Sequence, residues 1–303
     1  MELARALASL DRGPAVTLLA AGGVGPLAGQ SGLCIVPLPG CRLLPGLMTL
    51  GNPLFPLRAR ALSLEVIHDP TGVTPFAFGT GQARSVVTIH DVFAWSLPGS
   101  RPLLDTLIYR HWLPRLLPAV DAVITVSEHS RGELLHHLRV DPDRLKVIPY
   151  GVADRFHPMP DDEVQIHLQN HLGLSGPYVL YVGALTGRKN VGRALEAFAL
   201  IEKRFPRHQF VLAGPLVWDQ TPVQDLVQRL GIAARVTLTG PLTDADLPAL
   251  YCGADLLCFP SLYEGFGLPP LEAMACGTPV ICSNVSSLPE VVGDAALMVD
   301  PYD

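Results

Sequence analysis

Short apolar runs alternate with stretches of helical periodicity along the whole chain. In the first half, β-branched runs at residues 85–89 and 122–126 enclose residues 102–119, whose apolar positions recur at helical spacing. The second half alternates more regularly, with predicted strands at residues 178–182, 209–213, 235–239, 256–259 and 280–282. Continuous apolar strands between helices indicate a parallel sheet covered on both faces. The pattern therefore predicts an α/β protein built from doubly wound, Rossmann-like domains.

A polar segment near the middle of the chain sets the predicted domain boundaries. Residues 153–175 include the acidic run 161–163, and we expect them to form a linker that carries one short helix. This assigns residues 1–152 to an N-terminal domain and residues 176–303 to a C-terminal domain. Doubly wound domains bind ligands at the carboxyl ends of their strands. A cleft between the two domains is therefore the expected site.

Composition and charge narrow the class of protein. Hydrophobic residues make up 49% of the chain and charged residues 17%, which excludes a disordered protein. The net charge of −6 argues against nucleic acid as a partner. Residues 1–150 carry 13 Lys and Arg against 11 Asp and Glu, whereas the remainder carries 9 against 17. This asymmetry is typical of an enzyme whose first half binds an anionic ligand. The equal alternative is that surface charge varies between the halves without a functional cause.

The cysteines and the N-terminal region bear on location. The six cysteines include no C-x-x-C pair, so we expect buried thiols in a reducing compartment and no structural zinc. Residues 1–10 form an amphipathic helix rather than a signal peptide. Residues 13–41 carry no charge, but glycines and prolines interrupt them, so a spanning helix is not expected. The prediction is a cytoplasmic protein, soluble or peripheral at the inner face of the membrane.

Residues 261–278, with the sequence SLYEGFGLPPLEAMACGT, are the densest cluster of candidate chemistry. Gly265 and Gly267 allow close approach of a ligand or positive φ, and the prolines that follow suit the first turn of a helix. The amides at such a helix N-terminus bind phosphates. Glu264 precedes this turn, and Glu272 lies within the first helical turns. The alternatives are a solvated loop carboxylate for Glu264 and helix-dipole stabilisation for Glu272.

A second cluster, residues 182–190 with the sequence VGALTGRKN, follows the strand at residues 178–182. Arg188 and Lys189 are adjacent at the tip of that strand, where two cations can clamp a diphosphate. A pair of solvent-facing cations is the alternative. Asn190 is the expected N-cap of the next helix, and Ser127 has the same expected role in the first half.

Together these motifs resemble the retaining glycosyltransferases of family 4, which have the GT-B fold. The resemblance rests on the E-x7-E spacing of Glu264 and Glu272 around G-F-G-L-P, on R-K-N at 188–190, and on SSLPEVVGDAA at 286–296. The segments VTIHD at 87–91 and SEHSR at 127–131 resemble the first domain of mannosyltransferase-like members. Relative to that family, we expect the first strand with its glycine-rich loop and the C-terminal helices to be missing, so that the chain is a fragment or has an alternative start.

The resemblance implies a set of donor-binding roles. Glu272 would bind the ribose hydroxyls, Glu264 would contact the donor sugar, and Arg188 and Lys189 would neutralise the diphosphate. His90 would lie near the reacting sugar, so that His90 and Glu264 form the catalytic set; a hydrogen-bonded structural histidine is the alternative. The other implied donor-binding residues, which supply the cradle for the sugar and phosphate and the frame for the base, are Gly183, Gly240, Leu242, Gly265, Phe266, Gly267 and Leu268.

The function implied is transfer of a hexose from a nucleotide-diphosphate sugar to a saccharide or lipid-linked acceptor in cell-envelope polysaccharide, glycolipid or lipopolysaccharide synthesis. GDP-mannose is the first donor expected, with no metal and no other cofactor. Arg101, Arg110 and Arg115 accompany a Leu-rich amphipathic stretch that could approach an anionic lipid-linked acceptor, unless that helix simply packs on the sheet. A non-catalytic sugar-nucleotide-binding fragment and a GT-B sugar-nucleotide epimerase remain as alternatives.

Overall fold

The computed structural model describes residues 2–21, 34–38, 54–72, 76, 79–97, 103–216 and 223–303. The chain divides into two compact units. The first comprises Met1–Ile89 with Trp112–Ile124, and the second comprises His90–His111 with Thr125–Asp303.

The first half of the chain alternates short helices with parallel strands. Its elements in order are α1 (Glu2–Ala8), β1 (Thr17–Ala21), β2 (Cys34–Leu38), α2 (Leu54–Ala61), β3 (Val66–Asp69), β4 (Arg84–Thr88), α3 (Phe93–Ser96), α4 (Leu103–Leu116), β5 (Ala122–Thr125), α5 (Glu128–Leu138) and β6 (Leu145–Val147).

In the first unit, β1 pairs with β2, and β4 pairs with β3 and β5, all in parallel. Val87 and Val123 are buried in these strands. The carboxylate of Asp121 accepts hydrogen bonds from the Ser85 N–H at 2.8 Å and from Arg84 at 2.7 Å, which joins the starts of β4 and β5. These bonds lower the pKa of Asp121 to about 2, chiefly through the Ser85 backbone.

The second half contains the larger sheet. Its elements in order are α6 (Asp161–His167), a π-helical turn (Leu168–Leu172), β7 (Tyr178–Val182), α7 (Val191–Ile201), β8 (Gln209–Ala213), α8 (Val223–Arg229), β9 (Val236–Gly240), α9 (Leu247–Cys252), β10 (Leu256–Phe259), α10 (Leu268–Ala275), β11 (Val280–Ser283), α11 (Leu288–Val292) and β12 (Leu297–Val299).

The strands of this half form one parallel sheet in the order β12-β11-β10-β7-β8-β9. Two apolar clusters pack on it: one includes Leu180, Leu257 and Tyr251, and the other includes Tyr181 and Leu195. The alternation of β7 side chains between these clusters explains its continuous apolar sequence. The predicted doubly wound α/β architecture is confirmed, and it makes β7 and β10 direct neighbours.

Two expectations about the chain are corrected or limited. Cys34 is exposed rather than buried, because it begins β2, which pairs only with β1 among the described strands; Cys252 and Cys258 are half-buried, and Cys276 and Cys282 are buried. Cys41 and Arg101 lie outside the described residues. Within the part of the chain that the structure describes, no helix is long and apolar enough to cross a membrane.

Candidate functional site

Two turns lie side by side where β7 and β10 end. Because these strands are parallel neighbours, the turn at 183–190 and the turn at 260–267 start from the same edge of the sheet. The Leu262 N–H donates to the carbonyl of Arg188 at 2.9 Å, and the Arg188 Nη1 donates to the carbonyl of Tyr263 at 2.6 Å. The structure therefore brings the two sequence motifs into one site.

The carboxylate of Glu264 lies between the two cations. Lys189 Nζ is 2.6 Å from Oε1, and Arg188 Nη1 is 3.5 Å from Oε2. The three side chains are between 10% and 19% exposed, so neither a solvated loop carboxylate nor a solvent-facing cation pair describes them. Burial lowers the pKa of Lys189, and the charge of Glu264 opposes that shift.

Aromatic rings complete the surroundings of the two cations. The guanidinium of Arg188 lies 4.9 Å from the ring centroid of Phe93, and Lys189 Nζ lies 4.8 Å from that of Phe259. Cations over aromatic faces are stabilised electrostatically, more so when water is excluded. The rings therefore help to keep two positive charges in a largely buried site.

Serine hydroxyls hold the backbone of the glycine-rich turn. Ser286 Oγ accepts from the Glu264 N–H at 3.0 Å, and the Ser287 hydroxyl donates to the carbonyls of Glu264 and Phe266 at 3.0 and 2.6 Å. Both serines begin the sequence SSLPEVVGDAA. This segment contributed to the family resemblance, but the hydrogen bonds of its serines were not predicted.

Hydroxyls of the first half of the sequence reach the same turn. Ser127 and Ser130 donate to the carbonyl of Gly265 at 2.6 and 3.1 Å. Ser127 Oγ also accepts from the Ser130 N–H, which confirms Ser127 as the N-cap of α5. The carboxylate of Glu290 accepts from the Glu128 N–H at 3.0 Å, so the start of α5 is bonded both to the turn and to α11.

The two glycines of the turn serve different purposes. A Cβ on Gly265 would lie 2.1 Å from the carbonyl oxygen of His90, so this glycine allows a close approach of two backbones within the protein. Gly267 has φ 121°, and a Cβ there would lie 2.7 Å from Leu288 Cδ2. Positive φ is therefore used at Gly267, while Gly265 supplies space.

His90 lies against this turn and is hydrogen-bonded. Its Nδ1 is bonded to the hydroxyl of Tyr150, whose ring stacks on the imidazole with centroids 5.8 Å apart. Burial, helped by the charge of Asp91, raises the pKa of Tyr150 to about 12. The phenol therefore keeps its proton at neutral pH, and the tautomer of His90 decides which of the two groups donates in this bond. Tyr150 also packs edge-on against Phe266 at 5.3 Å.

Glu272 has different neighbours. It lies in α10, and its Oε2 accepts a hydrogen bond from the hydroxyl of Tyr251 at 2.8 Å. Burial raises the pKa of Glu272, and the hydrogen bond from Tyr251 and the charge of Arg155 partly oppose the shift. Arg155 in turn lies 3.6 Å from Asp244.

The remaining predicted residues take up several positions. Gly183 has φ 144°, and a Cβ on it would lie 3.7 Å from the Lys189 side chain, so this glycine borders the cation pair. The Gly240 carbonyl accepts from the Gly214 N–H at 3.0 Å. Leu242 is partly buried against the apolar cluster that includes Tyr251, and Leu268, the first residue of α10, is 36% exposed.

Asn190 does not cap α7 in the expected way. It precedes the helix with φ 57°, and its side chain makes no capping bond. In this left-handed conformation the amide Nδ2 donates to the carbonyl of Pro301 at 2.9 Å instead. The predicted position is correct, and the predicted hydrogen bond is wrong.

Sequence reasoning missed Tyr150 and Tyr251 as parts of the site. Tyr150 comes shortly after β6, which ends at Val147, and the rule that ligand sites lie at strand carboxyl ends could have found it. Tyr251 lies in the last turn of α9, where an apolar helical pattern gives no such signal. Its contact with Glu272 depends on the packing of α9 beside α10.

The sequence relationships agree with this geometry. Residues 1–156 match the sequence model described as Glycosyltransferase Family 4, and residues 165–303 match the one described as Glycosyl transferases group 1. The chain is 37% identical over 240 residues to the O-antigen chain mannosyltransferase B of Escherichia coli, covering 78% of this chain and 62% of that protein. It is 34% identical over 226 residues to the serotype-specific mannosyltransferase WbdA of the same species, covering 73% and 28%. The chain belongs to glycosyltransferase family 4.

Solved structures show the same fold. WaaG, a glycosyltransferase involved in lipopolysaccharide biosynthesis, superposes with a TM-score of 0.71 at 19% identity, covering 99% of this chain and 81% of that one. HepE from Anabaena in complex with UDP and glucose gives 0.71 at 22% identity, covering 95% and 78%. The predicted GT-B fold is thus confirmed. The chain spans less than two thirds of the length of the two mannosyltransferases.

Proposed function

We propose that the protein is a retaining hexosyltransferase that uses a nucleotide-diphosphate sugar and acts in cell-envelope polysaccharide or lipopolysaccharide synthesis. The observation that carries this proposal is the buried cluster of Arg188, Lys189 and Glu264 at the ends of β7 and β10. The names of the O-antigen mannosyltransferase relatives support a mannosyl donor, and GDP-mannose is the first candidate. In this proposal, residues 176–303 bind the donor, residues 1–152 meet the saccharide or lipid-linked acceptor, and residues 153–175 link them.

The cation pair accounts for departure of the nucleotide. Breaking the bond between the anomeric carbon and the diphosphate oxygen leaves negative charge on the diphosphate, and Arg188 and Lys189 neutralise it. Both cations pair with Glu264 in the protein alone. A bound diphosphate would compete for them, which would turn the Glu264 carboxylate toward the sugar hydroxyls.

Transfer with retention then follows on one face of the sugar. The acceptor oxygen bonds to the anomeric carbon on the side from which the diphosphate leaves, and its proton passes to the departing phosphate. No protein nucleophile is needed. Glu264 and Glu272 do not form the carboxylate pair of a retaining glycosidase, since Glu264 is paired with cations and Glu272 is bonded to Tyr251.

The other residues position the two substrates. Glu272, which the bond from Tyr251 orients, accepts hydrogen bonds from the ribose hydroxyls. Gly240 and Leu242 lie beside the base. Amides of Phe266, Gly267 and Leu268 cradle the sugar and its phosphate at the start of α10. The hydrogen bond between Tyr150 and His90 fixes the imidazole ring of His90, which we place beside the reacting sugar. The mechanism requires no metal in these roles.

A cytoplasmic location with peripheral membrane contact is part of the same proposal. Arg110 is exposed, but its guanidinium donates to the carbonyl of Ala94 at 2.9 Å, and the nearby Trp112 is 40% exposed. Charge reversal of Arg110 and Arg115 to Glu should weaken co-sedimentation with anionic vesicles. Unchanged co-sedimentation would exclude this contact.

Thermal unfolding against a panel of GDP-, UDP-, ADP- and dTDP-sugars tests the donor site. Ligand at 100 times its Kd should add about 2.7 kcal/mol, a shift of several degrees in Tm. One nucleotide should give the shift, and Glu272→Ala should abolish it. Product analysis with that donor follows. Transfer to an acceptor supports the proposal; an epimerised sugar nucleotide, or binding by the complete protein with neither transfer nor donor hydrolysis, would overturn it.

A further inference from the structure

Two histidines and an aspartate with no assigned role in donor binding come together. His167 ends α6, His171 lies in the π-helical turn that follows, and Asp246 precedes α9. His167 Nε2 is 3.0 Å from Asp246 Oδ1, and His171 Nδ1 is 3.9 Å from the same oxygen. One ligand atom from each of the three residues lies within 4.8 Å of the other two.

The two imidazole rings lie side by side next to the carboxylate of Asp246. Residues four apart on a helix share a face, and the two imidazole rings stack with centroids 4.3 Å apart and planes at 21°. Asp246 does not cap α9 with its side chain. Its Oδ2 accepts from the Thr243 hydroxyl at 2.5 Å, and this bond directs Oδ1 toward the histidines.

Packing beneath the cluster fixes the distance between its two supports. Val164 and Leu168, on the side of α6 and its extension that is buried, pack with α9 in the apolar cluster. A Cβ on Gly253, at the end of α9, would lie 2.5 Å from Leu168 Cδ1, so the two segments are in close contact. The candidate ligands therefore extend from elements whose separation the core determines.

We propose that His167, His171 and Asp246 bind a divalent transition-metal ion, with Zn²⁺ as the first candidate. Two imidazoles and a carboxylate are a common set of three protein ligands for Zn²⁺, and water takes the fourth position. Thr243 is the outer hydrogen-bond partner that orients the carboxylate. The observed Nε2–Oδ1 distance of 3.0 Å is close to the separation of roughly 3.3 Å between ligands at tetrahedral bonds of about 2.0–2.1 Å.

The bound ion would link α6 to the segment before α9. That segment also carries Asp244, which contacts Arg155. The ion would therefore stabilise the local structure without taking part in hexosyl transfer. The inference does not depend on the proposed activity.

The cluster differs from an ordinary pair of histidine and aspartate. His208 Nε2 lies 3.2 Å from Asp255 Oδ2, a distance similar to that of the His167 pair, but this pair is not part of any group of three ligands among the described residues. His208→Ala is therefore a matched control. It removes an imidazole beside an aspartate and leaves the proposed site intact.

Isothermal titration of the whole protein with ZnCl₂, after removal of any affinity tag, tests the site, and Co²⁺ absorption reports its geometry. We expect one equivalent of Zn²⁺ and the intense visible bands of four-coordinate Co²⁺. His167→Ala, His171→Ala and Asp246→Asn should each weaken binding more than tenfold, and Thr243→Val about tenfold, as for outer partners of metal ligands. His208→Ala should bind as the unaltered protein does.

Thermal unfolding without metal shows whether each variant is folded, and Zn²⁺ should raise the Tm of the unaltered protein but not that of His171→Ala. Failure of the folded, unaltered protein to bind Zn²⁺ or Co²⁺ would overturn the proposal. Binding that survives the three ligand variants would also overturn it, because the ion would then be held elsewhere.

Discussion

Glu264 lies in the turn before α10 and Glu272 lies within α10, but the surroundings of the two carboxylates differ. Glu264 is nearly buried between Lys189 and Arg188, so its charge is compensated within the protein. Glu272 is partly buried against a phenol, and burial raises its pKa. The first carboxylate is part of a charge cluster that an anionic ligand must rearrange. The carboxylate of Glu272 accepts a hydrogen bond from Tyr251, and it is suited to accept further hydrogen bonds from the neutral hydroxyls of a ligand. Spacing alone does not distinguish these roles.

The largest expected effect is loss of the buried lysine. Lys189→Met removes a cation from the leaving diphosphate, and we expect transfer to fall by roughly 10²–10³-fold, as when one oxyanion-hole donor is lost. Steady-state kinetics measure this fall. Lys203→Met, at an exposed lysine, is the control and should leave the rate unchanged. Equal rates for the two variants would contradict the role of Lys189.

Substitutions of the two carboxylates should have different effects on the Kd for the nucleotide. Glu272→Gln weakens hydrogen bonds to a charged acceptor, worth about 1.5–3 kcal/mol, so the Kd for GDP should rise roughly tenfold to a hundredfold. Glu264→Gln should change the GDP affinity much less but lower kcat with the sugar nucleotide. Calorimetry with GDP and turnover assays give both values. The reverse pattern would exchange the two assignments.

Substitution of Gly265 tests the close backbone packing around Glu264. Gly265→Ala places a Cβ 2.1 Å from the His90 carbonyl oxygen, and overpacking of this kind costs about 1–3 kcal/mol of unfolding free energy. Denaturant unfolding measures it. Gly187→Ala, where nothing lies within 4 Å of the added Cβ, is the control from the neighbouring turn. A stability loss shared by both variants would point to backbone flexibility rather than to the close contact.

The smallest effect is the pH dependence of the Glu272 region. The pKa of Glu272 is higher in the folded protein than the ordinary 4.5. Between these two pKa values the folded state binds more protons than the unfolded state, so the free energy of unfolding falls as the pH rises. Glu272→Gln lacks this loss. The Tm of the variant relative to the unaltered protein should therefore increase as the pH is raised from about 4.5 to about 7. Parallel Tm curves would show that burial does not penalise the charge of Glu272.

The sequence predicted the second sheet and the position of its motifs because each strand is a continuous apolar run and each motif directly follows a strand. The family resemblance assigned Arg188, Lys189 and Glu264 to one donor site, but the pairing of their side chains was not predicted, because local periodicity does not determine strand order. The predicted capping hydrogen bond of the Asn190 side chain was wrong, because the backbone of Asn190 adopts a left-handed conformation. Whether Glu272 binds ribose stays a prediction.

Hydrogen bonds between residues far apart in the sequence could not be predicted from local patterns. The bonds from Ser127 to Gly265 and from Glu128 to Glu290 span 138 and 162 residues. A capping serine gives no sign that its hydroxyl also serves a distant carbonyl. The same limit applies to His167, His171 and Asp246, because the helix supplies one pair by periodicity and only tertiary packing adds the third residue.

The start of α5 also has a consequence for synthesis on the ribosome. Its partner Glu290 leaves the ribosome 162 residues after Glu128, a delay of roughly 10–30 s at about 5–20 residues per second. During that interval α5 has its local Ser127 cap, its bonds to Gly265 must wait until that residue has left the ribosome, and its bond to Glu290 cannot exist. The start of α5 therefore stays incompletely bonded until translation has passed residue 290, and only then can the bond from Glu128 to Glu290 form.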